Sequence, residues 1–351
     1  MVSLFGNKTA GWVGVDIGSS SVKLVSLSQH GQSYQVDTYA IVALPPTAVV
    51  DGSVENQTEV SEAIERGLKI CGGKLKNAIV AVPSSAVITK RLEISNVFTG
   101  LELEEQVKIE ADQFIPYALD EVALDFEVIG PVEKAPSLNE ILLVACRRDD
   151  VARREESVNG AELQCDIVDV DTFSTERVLP LLEEFDPEAL VGLVDIGAAT
   201  LTLNVFRNGK VVYNREQAFG GNELTNAIHQ QYGMEATEVE KQLRNGELDA
   251  EIMEMLVLPF RQSVIQQASR ALQFFYSSGI QSQLNELYLA GGTASIEGLA
   301  DMMQEEIGVP THVANPFKNI RIGSRLNQER LMKDAPMLVK ACGLALRSFD
   351  R

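Results

Sequence analysis

The chain has 351 residues, enough to bury a sizeable core and to divide into two domains or lobes. Fifty acidic against thirty basic residues give a formal charge of −20, and a surface of that sign repels nucleic acid and anionic lipid. Cys71, Cys146, Cys165 and Cys342 form no Cys-x-x-Cys pair, and His30, His229 and His312 are too few and too dispersed for a zinc site.

The first strand-like stretch, Trp12 to Leu44, reads as three strands broken at Gly18 and Gly31. Thr58 to Cys71 has helical periodicity, with Val60, Ala63, Ile64, Gly67 and Leu68 on one face. Asn77 to Val82 is a buried strand ended by Pro83. Residues 84–165 read as an insertion: a strand from Val87 to Ile94, an amphipathic helix marked by Leu103, Val107, Ala111 and Phe114 that stops before Pro116, then strands at Val122 to Ile129 and Ile141 to Ala145.

From Gly192 the three-strand opening repeats. Thr237 to Glu240 has capping-box spacing and predicts a helix start there. A long helical stretch runs from about Ala250 to Ser278, with Pro259 as a break or first-turn residue. Leu287 to Ala290 is a short strand entering Gly291-Gly292-Thr293. Ser295 is expected to cap a helix reaching Ile307, and Met337 to Leu346 reads as a closing helix. Met1 to Thr9 lacks the apolar core and cleavage site of a signal peptide, and no uncharged apolar stretch is long enough to cross a bilayer, so a cytoplasmic protein is expected.

The repeat carries the chemistry. Asp16-Ile17-Gly18-Ser19-Ser20-Ser21-Val22-Lys23 recurs in weaker form as Asp195-Ile196-Gly197-Ala198-Ala199-Thr200, each after an apolar run and each before a second strand. A single Asp-x-Gly turn is ordinary hairpin chemistry. Two copies with matched flanks point to two hairpins facing one another as a phosphate clamp, where glycines admit backbone N–H groups and carboxylates hold Mg²⁺ through water. No Walker-type or dinucleotide-binding glycine fingerprint competes for the role.

With Gly220-Gly221-Asn222 opening a helix and a strand ending in Gly291-Gly292-Thr293, the arrangement resembles the actin-like ATPase superfamily. The resemblance implies an α/β fold of two ribonuclease-H-like βββαβαβα lobes with an inserted small α/β subdomain of FtsA type. The first lobe would take residues 1–83, about 166–190 and 330–351. The inserted peptide-binding subdomain would take 84–165, and the second lobe 191–329, with 220–270 as its smaller part.

It also implies ATP and Mg²⁺ as cofactors. Asp16 to Ser21 (with Gly18, Ser19 and Ser20) would be the first phosphate loop and Lys23 a mobile cation. Asp195, Gly197, Ala198 and Thr200 would belong to the second loop, with Asp16 and Asp195 facing across the metal. Gly291, Gly292 and Thr293 would leave room for base or ribose, while Gly220, Gly221 and Asn222 would bring helix amides to phosphate. Lys241 and Arg244 would lie on the base side. Lys23 also reads as a solvated lysine, Gly220-Gly221 as a plain turn, and Lys241 with Arg244 as an exposed helix face. Asp171 is the candidate for positioning the attacking water, with helix capping as its structural alternative, so hydrolysis is expected to be weak or absent.

Three segments sharpen the resemblance to the PilM family of type IV pilus assembly proteins. They are the Val-Gly-Val-Asp-Ile-Gly-Ser-Ser-Ser-Val-Lys-Leu run after a short Phe-Gly tail, the stretch Val80 to Thr89, and the long segment Val107 to Phe126. The family implies a cytosolic scaffold that binds ATP and the N-terminal cytoplasmic tail of PilN. It would thereby join the PilN/PilO inner-membrane complex to pilus motor ATPases and the platform protein, with self-association a further property. Such a protein sits at the inner membrane through its partner, without direct insertion and without nucleic acid. Val87, Phe114, Ile115 and Pro116 are candidates for the peptide groove, or are simply the core of the insertion.

Two alternatives stay open. A filament-forming tether like FtsA predicts a C-terminal amphipathic anchor after a linker, and the sequence ends at Arg351 without one. A small-molecule kinase of the same fold predicts a firm catalytic carboxylate, and Asp171 is the sole candidate.

Overall fold

The computed structural model describes residues 8–182, 188–279 and 283–350. The Phe5-Gly6 tail lies outside the described residues.

The chain begins with β1 (Lys8–Ile17), β2 (Ser21–His30) and β3 (Ser33–Ala43), an antiparallel meander turned at Gly18 and Gly31. The short pair β4 (Val49–Val50) and β5 (Ser53–Val54) leads to α1 (Gln57–Cys71). That helix starts where Asn56 accepts the Glu59 N–H at 3.2 Å, and it stops at Gly72 in the left-handed region, where the N–H of the cap returns to the last carbonyls. Its buried face is Val60, Ala63, Ile64 and Gly67, as the spacing predicts. β6 (Asn77–Val82) runs parallel to β1.

The insertion follows: β7 (Val87–Ser95), α2 (Gly100–Ala111), β8 (Val122–Val132) and β9 (Ala135–Arg147), with the strands in the order β7-β9-β8. Leu92, Ile94, Leu103, Val107, Ile141 and Leu143 give it its own apolar cluster. Then come α3 (Arg148–Asn159), β10 (Gln164–Val170) and α4 (Asp171–Leu182).

The second half repeats the opening with β11 (Leu190–Ile196), β12 (Thr200–Arg207) and β13 (Lys210–Ala218). The helices α5 (Asn222–Tyr232), α6 (Ala236–Asn245) and α7 (Ala250–Ile252) follow, then a π turn over 253–257 and α8 (Leu258–Ser277). Pro259 follows the π turn directly in a continuous helical run, so its missing N–H removes one donor from the ladder there. β14 (Glu286–Ala290), α9 (Leu299–Ile307), β15 (Thr311–Val313), β16 (Arg321–Ile322), α10 (Gln328–Asp334) and α11 (Val339–Arg347) complete the chain.

The two large sheets have the same plan. The first runs β10-β6-β1-β2-β3-β16 and the second β13-β12-β11-β14-β15. Each places its opening strand at the centre, an antiparallel meander on one side and two parallel strands on the other. The central strands are apolar on both faces because helices cover both sides. β11, for example, buries Leu190 to Val194 without interruption.

A shared core joins the halves. Val25, Leu27 and Val36 of the first sheet meet Leu193, Phe206 and Tyr288 of the second through Val178 of α4 and Val339, Ala341 and Ala345 of α11. Each fully buried Val, Leu or Phe side chain is worth about 1.5–3 kcal/mol, against about 0–1 kcal/mol for an exposed ion pair, so this seam fixes how the halves face one another.

Two local predictions give way. α6 starts one residue before Thr237, which lies inside its first turn, and the extended residue preceding the helix is Glu235. α9 starts after Gly298 in the left-handed region, and Ser295 ends a 3-10 turn over 292–295 instead of capping the helix. The closing helix also begins as a 3-10 turn, Ala335–Leu338, around Pro336.

Candidate functional site

The two Asp-x-Gly turns close in the same way. Gly18 N–H donates to the Ser21 carbonyl at 3.1 Å, and Gly197 N–H donates to the Thr200 carbonyl at 2.9 Å. Both turns line one cleft, together with Gly221, Gly291, Gly292 and Thr293.

Two glycines, Gly220 and Gly291, are required by close approach to backbone. A Cβ on Gly220 would strike the carbonyls of Gly197 and Ala198, so α5 can start against the second turn only because that side chain is missing. Gly221 N–H then donates to the Gly197 carbonyl at 2.9 Å and Asn222 N–H to that of Ala198 at 2.8 Å. Gly291, at φ +85°, lies against Ile196 O and Asp195 Oδ1, where a side chain would collide. On Gly18 a Cβ would stand 2.7 Å from Lys23 Nζ. Asn222 and Gly220 support the cleft wall without lining it.

The charged groups are paired across the cleft. Lys23 Nζ sits 3.3 Å from Asp16 Oδ2 and donates to the Ser21 carbonyl at 3.3 Å. Asp195 faces a different cation: Lys340 Nζ of α11 lies 2.8 Å from its Oδ2 and 3.3 Å from Asp171 Oδ2. Burial disfavours the charge on Lys340, but Asp195, Asp171 and Asp16 outweigh it and hold the ammonium well above its ordinary pKa.

Asp171 heads α4 and is tied by both oxygens, since its Oδ1 accepts the Ser84 N–H at 2.9 Å. Glu216 of β13 is raised by burial, an effect opposed by a hydrogen bond from Ser85 and reinforced by the Asp171 charge. Buried Arg154 of α3 donates to the Gly52 carbonyl at 2.6 Å, with Asp16 and Asp171 offsetting the desolvation that lowers its pKa. Ser21 Oγ and Ser295 Oγ are buried and have no hydrogen-bond partner, although both residues line the cleft.

On the α6 wall, Glu240, Leu243 and Arg244 line the cleft. Lys241 does not; it is exposed and pairs with Glu238 at 3.6 Å. Arg244 reaches buried Asp334 at 3.7 Å, and the same carboxylate accepts the Tyr39 hydroxyl at 3.1 Å. Burial and the Asp334 charge push Tyr39 up to about 12.

Outside the cleft, the four groove candidates are not one surface. Ile115 is buried in the core of the insertion, and Val87 packs with Val82, Cys146 and Val170 at its root. Phe114 is exposed beneath Lys90 Nζ, 4.7 Å from the ring centroid, and Pro116 is exposed. Burial raises all four thiols, which leaves no reactive cysteine among the described residues.

Lys340, Arg154, Glu216 and Glu240 are cleft residues that the sequence reading missed. Lys340 and Arg154 come from helices remote from either turn, Glu216 from the third strand of the second meander opposite Thr202, and Glu240 from the segment that the capping-box spacing marked. The arrangement offers two ammonium groups, turn amides and unpartnered hydroxyls to a bound polyanion.

Comparison with known proteins agrees with the topology. The family model described as Type IV pilus assembly protein PilM matches residues 14–349. The cell division protein FtsA of Bacillus subtilis (strain 168) is 22% identical over 352 residues, covering 87% of this chain and 78% of that protein. The solved PilM-PilN type IV pilus biogenesis complex superposes with a TM-score of 0.79 at 27% identity, over 97% of this chain and 99% of that one. The ethanolamine utilization protein EutJ from Carboxydothermus hydrogenoformans, at TM-score 0.57 and 18% identity over 96% and 89% of the two chains, shares the fold alone. The fold is actin-like, and the chain belongs to the family of the type IV pilus assembly protein PilM.

Proposed function

We propose that this chain is an ATP-binding scaffold of type IV pilus assembly that captures the N-terminal cytoplasmic tail of PilN. It would thereby link the PilN and PilO inner-membrane complex to the cytosolic motor. The observation that carries the nucleotide part is the pair of matched turns on one cleft, with Gly220 and Gly291 at positions that a Cβ would fill and with Ser21 and Ser295 hydroxyls lacking partners. Turn amides and Lys23 would receive the phosphates, and Leu243, Arg244, Ile296 and Met337 would border the base. Asp171 is held by the Ser84 amide and Lys340, so it is poorly placed to accept a proton from water, which favours retention of ATP over turnover.

The likeness to the PilM-PilN complex supports the peptide part, as does the insertion itself. Among the described residues β7 pairs only with β9, so its second edge is free to take an extended segment by strand addition. No helix among the described residues is long and apolar enough to cross a membrane, so attachment through a partner's tail accounts for a place at the inner membrane.

The test is fluorescence anisotropy with a labelled peptide copied from the N-terminal tail of the same organism's PilN, in the presence of ATP. Saturable binding that a scrambled peptide does not reproduce is expected. Equal binding of the two peptides would overturn the reading.

A further inference from the structure

The cleft contains a cation that the repeated turns do not supply. In the first hairpin, Asp16 stands in register with Lys23 across the β1–β2 ladder, so the turn carries its own counter-charge. In the second, the residue in register with Asp195 is Thr202, which is neutral and buried. The missing charge arrives from α11, where Lys340 sets its ammonium between Asp195 and Asp171.

Close backbone packing fixes the helix turn from which the Lys340 side chain extends. A Cβ on Gly14 of β1 would strike the Ala341 carbonyl, and one on Gly343 would strike the Ser174 carbonyl of α4. These are backbone-to-backbone contacts on either side of Lys340. The remaining residues of α11 from Val339 to Leu346 are buried. A helix held in this way cannot carry its first turn away from the two carboxylates without opening the shared core.

A divalent ion does not fit the same place. Mg²⁺ requires oxygen ligands at about 2.0–2.1 Å in octahedral geometry, and an ammonium 2.8 Å from Asp195 Oδ2 takes up both the space and the negative charge such an ion needs. Lys340 thus occupies the position on Asp195 that a metal ligated directly by that carboxylate would need.

We infer that Lys340 is the resident cation of this cleft, and that the protein binds a nucleoside triphosphate without requiring a divalent metal. The inference rests on the nucleotide reading above. Lys340 neutralises the carboxylate pair that would otherwise repel the phosphates, and with Lys23 it presents one ammonium on each side of the bound polyanion.

The test is calorimetric titration of ATP into the wild-type chain and into Lys340→Met and Lys340→Arg, each in excess Mg²⁺ and in EDTA. The wild type and Lys340→Arg should bind ATP in EDTA within about threefold of their affinity in Mg²⁺. Lys340→Met should bind at least about tenfold more weakly in EDTA and recover in Mg²⁺, as the released carboxylates take up the ion. Titration of Mn²⁺ without nucleotide should give binding only to Lys340→Met. Wild-type binding that needs Mg²⁺, or Lys340→Met binding equal to wild type in EDTA, would overturn the proposal and leave the nucleotide reading standing. Loss of ATP binding by the wild type in both media would overturn the two together.

Discussion

The two Asp-x-Gly hairpins share a backbone and differ in where their positive charge originates. Asp16 receives Lys23 from its own β-ladder, seven residues on, and Asp195 receives Lys340 from the far end of the chain. A local pair forms as soon as the hairpin closes. A remote one exists only once α11 has docked between the halves. The second turn is therefore the one whose electrostatics depend on the whole fold, and damage to the seam should reach it first.

The largest effect should follow from breaking the seam itself. Gly343→Ala places a methyl group against the Ser174 backbone, which cannot yield as a side chain would. A loss of about 3 kcal/mol, read from the urea midpoint, is expected. The Asp16–Lys23 pair should survive in any folded fraction, since neither residue touches α11 through that glycine.

Cutting the remote pair directly comes next. Asp195→Asn leaves Lys340 with Asp171 at 3.3 Å as its nearest carboxylate and should cost about 2 kcal/mol. Asp16→Asn should cost less, about 1 kcal/mol, because Lys23 keeps its bond to the Ser21 carbonyl. Chemical denaturation of the two variants side by side checks the order. Equal losses would mean that the local and remote cations are equivalent.

A third comparison uses a contact away from both turns. Tyr39→Phe removes the hydroxyl donated to Asp334, at a cost of about 1 kcal/mol at neutral pH. The folded state raises the Tyr39 pKa from 10.0 to about 12, so it holds the phenol proton more tightly than the unfolded chain does. Its contribution is complete below pH 10 and is lost as pH rises toward 12. The stability gap between wild type and variant should accordingly narrow over that range in thermal melts. A gap that widened there would contradict the assigned partner.

The smallest effect belongs to Lys241→Ala. The side chain is exposed, and its ion pair with Glu238 is of the kind worth about 0–1 kcal/mol. ATP affinity should be unchanged, whereas Arg244→Ala, which alters the cleft wall itself, should weaken it measurably.

The duplicated turns were legible because their signal is local. An Asp, a Gly and two flanking apolar runs lie within a few residues, and the same spacing recurs in the second half. The α1 face was legible for the same reason, since helical periodicity states which residues turn inward. Helix starts were less secure. Thr237 and Ser295 satisfy local capping rules, yet α6 and α9 are entered from Glu235 and Gly298.

By itself the sequence determined the repeated meander and the two carboxylates that line the cleft. These follow from periodicity and turn chemistry, which act over a single hairpin or helix. Tertiary structure alone decided which cation meets the second carboxylate. Lys340 and Arg154 reach the cleft from α11 and α3, helices that pack on separate apolar clusters. Burial is non-directional and its partners lie far apart in sequence, so no window of residues records which charge it will carry to the site.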